Sequence, residues 1–203
     1  MKRKLPVYEL KINVEDDAIV SAVALVEEPA IESNFLAFSK DGVLQFAAND
    51  EKMELIGAAM IPDQLIYRRD KKTEQEFEVF FTADTIRQIA QQYFKSGFQK
   101  NLNLNHTSVP AKSYMFQSYI VDNSKGIKAP KGIDVPDGSW IVGVKVDDKE
   151  VWNEIKTGKV KGFSIEGMFE FIESNFSKED TTEDEEVFQL LQLMNQIIIK
   201  NKK

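Results

Sequence analysis

Val160-Lys161-Gly162-Phe163-Ser164-Ile165-Glu166-Gly167-Met168-Phe169-Glu170-Phe171-Ile172 is the most informative run in this chain. Phe163, Ile165, Phe169 and Phe171 share one parity, and Ser164, Glu166, Met168 and Glu170 share the other. A period of two is that of a β-strand with one apolar face. The pattern predicts a single strand over residues 160–172 with the Ser164 hydroxyl turned off the core face. Gly162 and Gly167 leave room beside it for a second backbone. A hydroxyl so placed is either a nucleophile open to a substrate strand or an outward polar residue near a bulge, and the strand alone leaves both readings open.

Val7–Val14 and Ala18–Val26 read as strands, the second stopped by Glu27-Glu28-Pro29. Residues 33–53 read as short strands and turns. Glu54–Ile61 is a buried strand ending at Pro62-Asp63, followed by a charged stretch from Arg68 to Lys72 and a strand at Glu76–Phe81. Thr82 caps a helix running through Phe94, with Ile86, Ile89, Ala90, Tyr93 and Phe94 as its apolar stripe and Gly97 as a left-handed exit. A second helix, capped by Asp147, holds Val151, Trp152 and Ile155 and stops at Gly158. Ser113–Asp122 and Trp140–Val146 are strands joined by a Gly-, Pro- and Lys-rich excursion, a candidate mobile loop. Lys178–Glu186 has six acids against one lysine, a solvated connector rather than a spaced metal-ligand set. Beyond it, Val187, Leu190, Leu191, Met194, Ile197 and Ile198 recur at helical spacing behind a Thr182/Glu185 capping box. That stripe packs on its own domain or docks on a partner. The expected division is residues 1–176 as one domain and 177–203 as connector and amphipathic helix, and the expected assembly a homo-oligomer.

With 203 residues the chain suits one domain with modest extensions. Fourteen Phe and two Trp provide bulk for a core. The absence of cysteine excludes disulfides and thiol chemistry, and a single histidine argues against a zinc site; no metal or cofactor is expected. A net charge of −7 disfavours nonspecific nucleic-acid binding. Met1-Lys2-Arg3-Lys4-Leu5-Pro6 is basic, but Tyr8-Glu9-Leu10-Lys11 interrupts any apolar run, so no membrane role is expected.

A serine nucleophile needs a base, and a base needs orienting. His106, the one histidine, ends the run Asn101-Leu102-Asn103-Leu104-Asn105 and would share a face with Leu102 and Leu104 if the strand persists. A lone histidine in such a place is more often structural than catalytic. Glu166 lies on the same side as Ser164, roughly 6–7 Å along the strand, and can orient His106. Asp122, ending the strand before it, is the rival acid. There is no phosphate-binding loop, no dinucleotide fingerprint and no Gly-x-Ser-x-Gly elbow.

Leu25-Val26-Glu27-Glu28-Pro29-Ala30-Ile31, Met60-Ile61-Pro62-Asp63 with Ile66-Tyr67-Arg68, Phe80-Phe81-Thr82 and Asn105-His106 form an ordered series. It continues through Gln117-Ser118-Tyr119-Ile120-Val121-Asp122, Gly138-Ser139-Trp140 and Trp152–Gly158 to Gly162–Gly167. The series spans residues 18–172 and resembles the XkdF-like phage serine proteases, relatives of the prohead maturation proteases. The resemblance implies an α+β, mainly β fold, a small herpesvirus-protease-like β-barrel with helices packed outside. It implies that Ser164 and His106 match the family's catalytic positions. The activity implied is cleavage of scaffold and capsid-protein extensions inside an immature phage head in the bacterial host cytoplasm, with self-cleavage. Family members commonly have an acid where Gln117 stands and another after the histidine, where this chain has Thr107. The departures leave Glu166 and Asp122 as candidates for the third member. A non-catalytic head-assembly protein that associates through its last helix is the competing expectation.

Overall fold

The computed structural model describes residues 5–12, 20–27, 36–39, 42–43, 51–70 and 73–174. In chain order the elements are β1 (Val7–Lys11), β2 (Val20–Val26), β3 (Leu36–Ser39), β4 (Gly42–Val43), β5 (Glu51–Met60), β6 (Ile66–Arg69), β7 (Glu76–Phe80), α1 (Ala83–Lys95) and β8 (Leu102–Leu104). They continue with β9 (Ser113–Ile120), β10 (Trp140–Val146), α2 (Lys149–Lys156), β11 (Gly162–Gly167) and β12 (Glu170–Ser174). The class is α+β and mainly β. Pairing gives three sheets, ordered β12-β1-β7-β6, β4-β3-β5-β10-β9 and β11-β2-β8. β11 approaches β5, but no ladder joins them, and among the described residues the sheets do not close into a barrel.

The core gathers around β10, where Trp140, Ile141, Val142, Val144 and Val146 are fully enclosed. Burial on both faces explains why this strand reads as a continuous apolar run rather than an alternating one. Trp140 donates its indole N–H to Ser118 Oγ at 2.8 Å and meets Tyr93 edge-to-face at 5.7 Å. Tyr93 comes from α1, whose Thr82 cap accepts from the Thr85 amide at 3.3 Å. Burial pushes the Tyr93 phenol pKa up. Ile86, Ile89 and Ala90 complete the buried stripe expected from the spacing, and Gly97 takes the left-handed conformation that ends the helix.

Three local expectations are corrected. The cap of α2 is Asp148, whose carboxylate accepts from the Glu150 and Val151 amides at 2.8 and 3.2 Å. Asp147 instead donates its amide to the Lys112 carbonyl. The charged stretch after Pro62 contains β6, which pairs antiparallel with β7, and the Tyr67 hydroxyl donates to Glu76 there. The expected strand over residues 160–172 is two strands. A bulge at Glu166/Gly167 interrupts the pairing with β2, after which β12 joins β1 in another sheet. Phe169, between the two, sets its ring against Phe81 at 5.1 Å.

The excursion between β9 and β10 contains a 3-10 turn at Asn123–Lys125 and is tied by Asp137, which accepts from the Asn123 amide at 3.1 Å. The connector and the C-terminal helix expected over residues 177–203 lie outside the described residues.

Candidate active site

The sheet β11-β2-β8 is the platform. Ser164, Ala24 and Asn103 lie in one row across it, flanked by the rows Phe163–Leu25–Leu104 and Ile165–Val23–Leu102. Phe163, Leu25, Val23 and Leu102 point into the core. The alternate positions, Ser164, Glu166, Ala22, Ala24 and Asn103, therefore share the other face. Because the middle strand presents alanines there, Glu166 reaches across it, and Asn103 Nδ2 donates to Glu166 Oε1 at 2.8 Å.

His106 does not share a face with Leu102 and Leu104. β8 stops at Leu104, and Asn105 and His106 adopt φ of 49° and 55°. These left-handed conformations reverse the chain, and the imidazole swings to the Glu166 side. Asn105 fixes the turn against the end of β2. Its amide donates to the Leu25 carbonyl at 3.0 Å, and its side-chain oxygen accepts from the Glu27 amide at 3.0 Å. Thr107 closes the turn by donating its hydroxyl to the Leu104 carbonyl at 2.7 Å. Residues held at unfavourable φ/ψ cost on the order of 1–3 kcal/mol each and persist only where their surroundings enforce them; the Asn105 clamp supplies that enforcement.

His106 Nδ1 lies 2.8 Å from Glu166 Oε1. An ionised carboxylate only accepts, so in the neutral imidazole the proton sits on Nδ1 and Nε2 presents its lone pair. The pair is half-buried, the imidazole 40% and the carboxylate 32% exposed.

Ser164 is 7% exposed, and its hydroxyl makes no hydrogen bond to His106 or to another of the described residues. It lines an apolar cleft of about 220 Å³ together with Phe77, Phe81, Phe163, Phe169 and Phe171. His106 and Glu166 open into a separate hollow with Ser21, Gly167 and Met168, and Ile165 lines both. The fold thus brings Glu166 to His106 and sets Ser164 in the same sheet face, in the row of Asn103, without joining serine to imidazole.

Asp122 is elsewhere. It caps the 3-10 turn, accepting from Ser124 Oγ at 2.6 Å and pairing with the Lys125 ammonium. The Lys125 contact, reinforced by Ser124, pulls its carboxyl down to about 2. Asn103 has no counterpart among the expected site residues. It stands opposite in parity to the leucines of its run, but nothing in the sequence places β8 beside β2 and within reach of β11.

Residues 43–173 match the family model described as "Putative phage serine protease XkdF", more than half of the chain. The chain belongs to this family. Two Bacillus subtilis (strain 168) proteins are similar to it. One is "Phage-like element PBSX protein XkdF", 24% identical over 147 residues, covering 72% of this chain and 46% of the relative. The other is "Uncharacterized protein YqbD", 24% identical over 185 residues, 86% of this chain and 53% of the relative. The chain spans about half the length of these relatives. No solved structure matches it. The XkdF match begins at β4 and ends within β12, so it includes the His106 turn, Ser164 and Glu166.

Proposed function

We propose that this protein is a serine endopeptidase of phage head maturation, with Ser164 as nucleophile, His106 as base and Glu166 as the group that orients the base. The observation that supports the reading best is the His106 Nδ1 contact with Glu166 Oε1, because it leaves Nε2 as the proton acceptor. Ser164 Oγ attacks the scissile carbonyl carbon and passes its proton to Nε2. The resulting imidazolium is held by the Glu166 carboxylate and protonates the leaving amine when the tetrahedral intermediate collapses. Water then enters by the same proton route, releasing the acid product and restoring the serine. In the free protein the serine-to-imidazole hydrogen bond is not made; substrate binding completes it, as is common for catalytic hydrogen bonds in unliganded sites. Asn103 serves as a positioning residue, holding the Glu166 carboxylate toward the imidazole.

Membership of the XkdF family and the phage-like origin of one relative support a role in phage assembly. On this reading the substrates are scaffold and capsid-protein extensions, the site of action is the immature head in the host cytoplasm, and self-cleavage and homo-oligomerisation accompany it. The three sheets are then parts of a herpesvirus-protease-like barrel. The test is coexpression with the capsid and scaffold proteins of the same phage element. Ser164→Ala is expected to abolish processing while the circular dichroism spectrum and melting temperature are retained; undiminished processing by the variant sinks the assignment.

A further inference from the structure

Backbone hydrogen bonding decides which edge of β11 is open. The Val23 amide donates to the Asn101 carbonyl at 3.1 Å, and the Leu25 carbonyl accepts from Asn105 at 3.0 Å. Val23 and Leu25 therefore direct their peptide groups to β8, and Ala22 and Ala24 direct theirs to β11. Ser164, opposite Ala24, is bonded within the sheet. Ile165, opposite Val23, turns its N–H and C=O away from β2, toward the side where the apolar cleft lies.

That cleft has a distinct chemical character. Apart from Arg68 and Ser164 its walls are apolar, from several elements: Leu10 of β1, Ala59 and Met60 of β5, Val79 of β7, Phe81 and Phe169. At about 220 Å³ it is smaller than the ~300–1,000 Å³ of small-ligand and cofactor pockets. A single bulky side chain is the better match. Phe171 borders it while 55% exposed, packed edge-to-face on Tyr8 and Phe77 at 6.1 and 6.0 Å. Half-exposed aromatic surface at the mouth of an apolar cleft is typical of a recognition site.

We propose that this cleft is a substrate subsite that takes one large apolar side chain, Leu, Met or Phe, of an extended peptide whose backbone hydrogen-bonds to the outward peptide groups of Ile165. Ile165 lines both hollows, so a peptide seated there has its anchoring side chain beside Ser164 and its main chain on the way to His106. The inference rests on the endopeptidase reading and gives it a specificity. Burying a methylene is worth about 0.8 kcal/mol, which predicts at least tenfold tighter binding of a leucine peptide than of its alanine counterpart.

The test uses the full chain with Ser164→Ala, so that binding is read without turnover. Capped tetrapeptides differing only in one central residue, Leu or Ala, are titrated while amide and methyl NMR signals are followed. The expected result is saturable shifts at the Ile165 amide and at Leu10 and Val79, at least tenfold tighter for the leucine peptide, and lost on Ala59→Leu, which fills the cleft. Phe169→Ala, which enlarges it, is expected to move the preference toward Trp and keeps the test alive if the filled variant does not fold. Equal affinity for the two peptides, or shifts confined to other regions, overturns the subsite. Cleavage of capsid and scaffold proteins by the wild type against Ser164→Ala judges the endopeptidase reading separately.

Discussion

At Glu166 a single oxygen, Oε1, accepts from both Asn103 and His106. A glutamine there keeps the shape but can offer its NH₂ to the ring, which favours the tautomer with the proton on the wrong nitrogen. Glu166→Gln is therefore expected to lower kcat for processing by roughly 10³–10⁴-fold with little change in KM, the scale seen when the acid of a serine-protease triad becomes an amide. Stability should change by less than about 1 kcal/mol, since the two side chains in contact are about one-third exposed and such surface contacts contribute little. Asp122→Asn is expected to leave kcat unchanged, because Asp122 is committed to Lys125 and Ser124. Steady-state kinetics of the two variants distinguish the acids: loss of activity in Asp122→Asn with a normal Glu166→Gln reverses the assignment. The sequence placed Ser164 and Glu166 on one face by parity alone. It left the acid open because parity says nothing about which strand stands two ladders away.

Among the elements, those whose signals are local were legible. α1 has its cap, its stripe and its left-handed exit where spacing puts them, and β10 declares itself by an unbroken apolar run. Legibility failed where tertiary pairing overrides composition. β6 reads as charge until β7 lies beside it, and residues 160–172 keep their period of two although a bulge passes the chain from one sheet to another. The His106 turn failed for a third reason, because two consecutive left-handed residues without glycine leave no sequence mark. Ser118→Ala leaves the enclosed Trp140 N–H without its acceptor and is expected to cost about 1–3 kcal/mol in urea unfolding; an unchanged midpoint shows that the indole finds another partner. For the capped turn after β9, the Asp122 carboxyl titrates near 2 in the folded protein against about 3.9 unfolded. A depressed folded value means stability that is present above about pH 4 and is lost as pH falls through about 2. The melting temperatures of wild type and Asp122→Asn should therefore differ at pH 5 and converge toward pH 2; a constant gap across that range excludes the carboxylate as its source.

For the whole molecule, the decisive property is that the site is assembled within one small sheet whose rows come from three distant parts of the chain, and whose apolar side is continuous with the core around β10. Ser164 and Glu166 enter from β11, Asn103 and His106 from β8 and its turn, and the alanines that let them meet from β2. Such a site stands or falls with the fold around it, in which Trp140, Phe163 and Val23 are enclosed. The apolar repeat from Val187 to Ile198 is separate from that core in sequence, behind six acids that repel one another. Truncation before Ser177 is therefore expected to preserve a single cooperative unfolding transition within about 1 kcal/mol of the full chain, together with Ser164-dependent processing, and to convert oligomers into monomers in light scattering. If truncation instead unfolds the protein, the terminal helix is part of the core and the division at residue 176 is wrong. If it spares the oligomers, association belongs to the sheets themselves, and the edges of β4, β6, β9 and β12, unpaired among the described residues, become the surfaces to mutate.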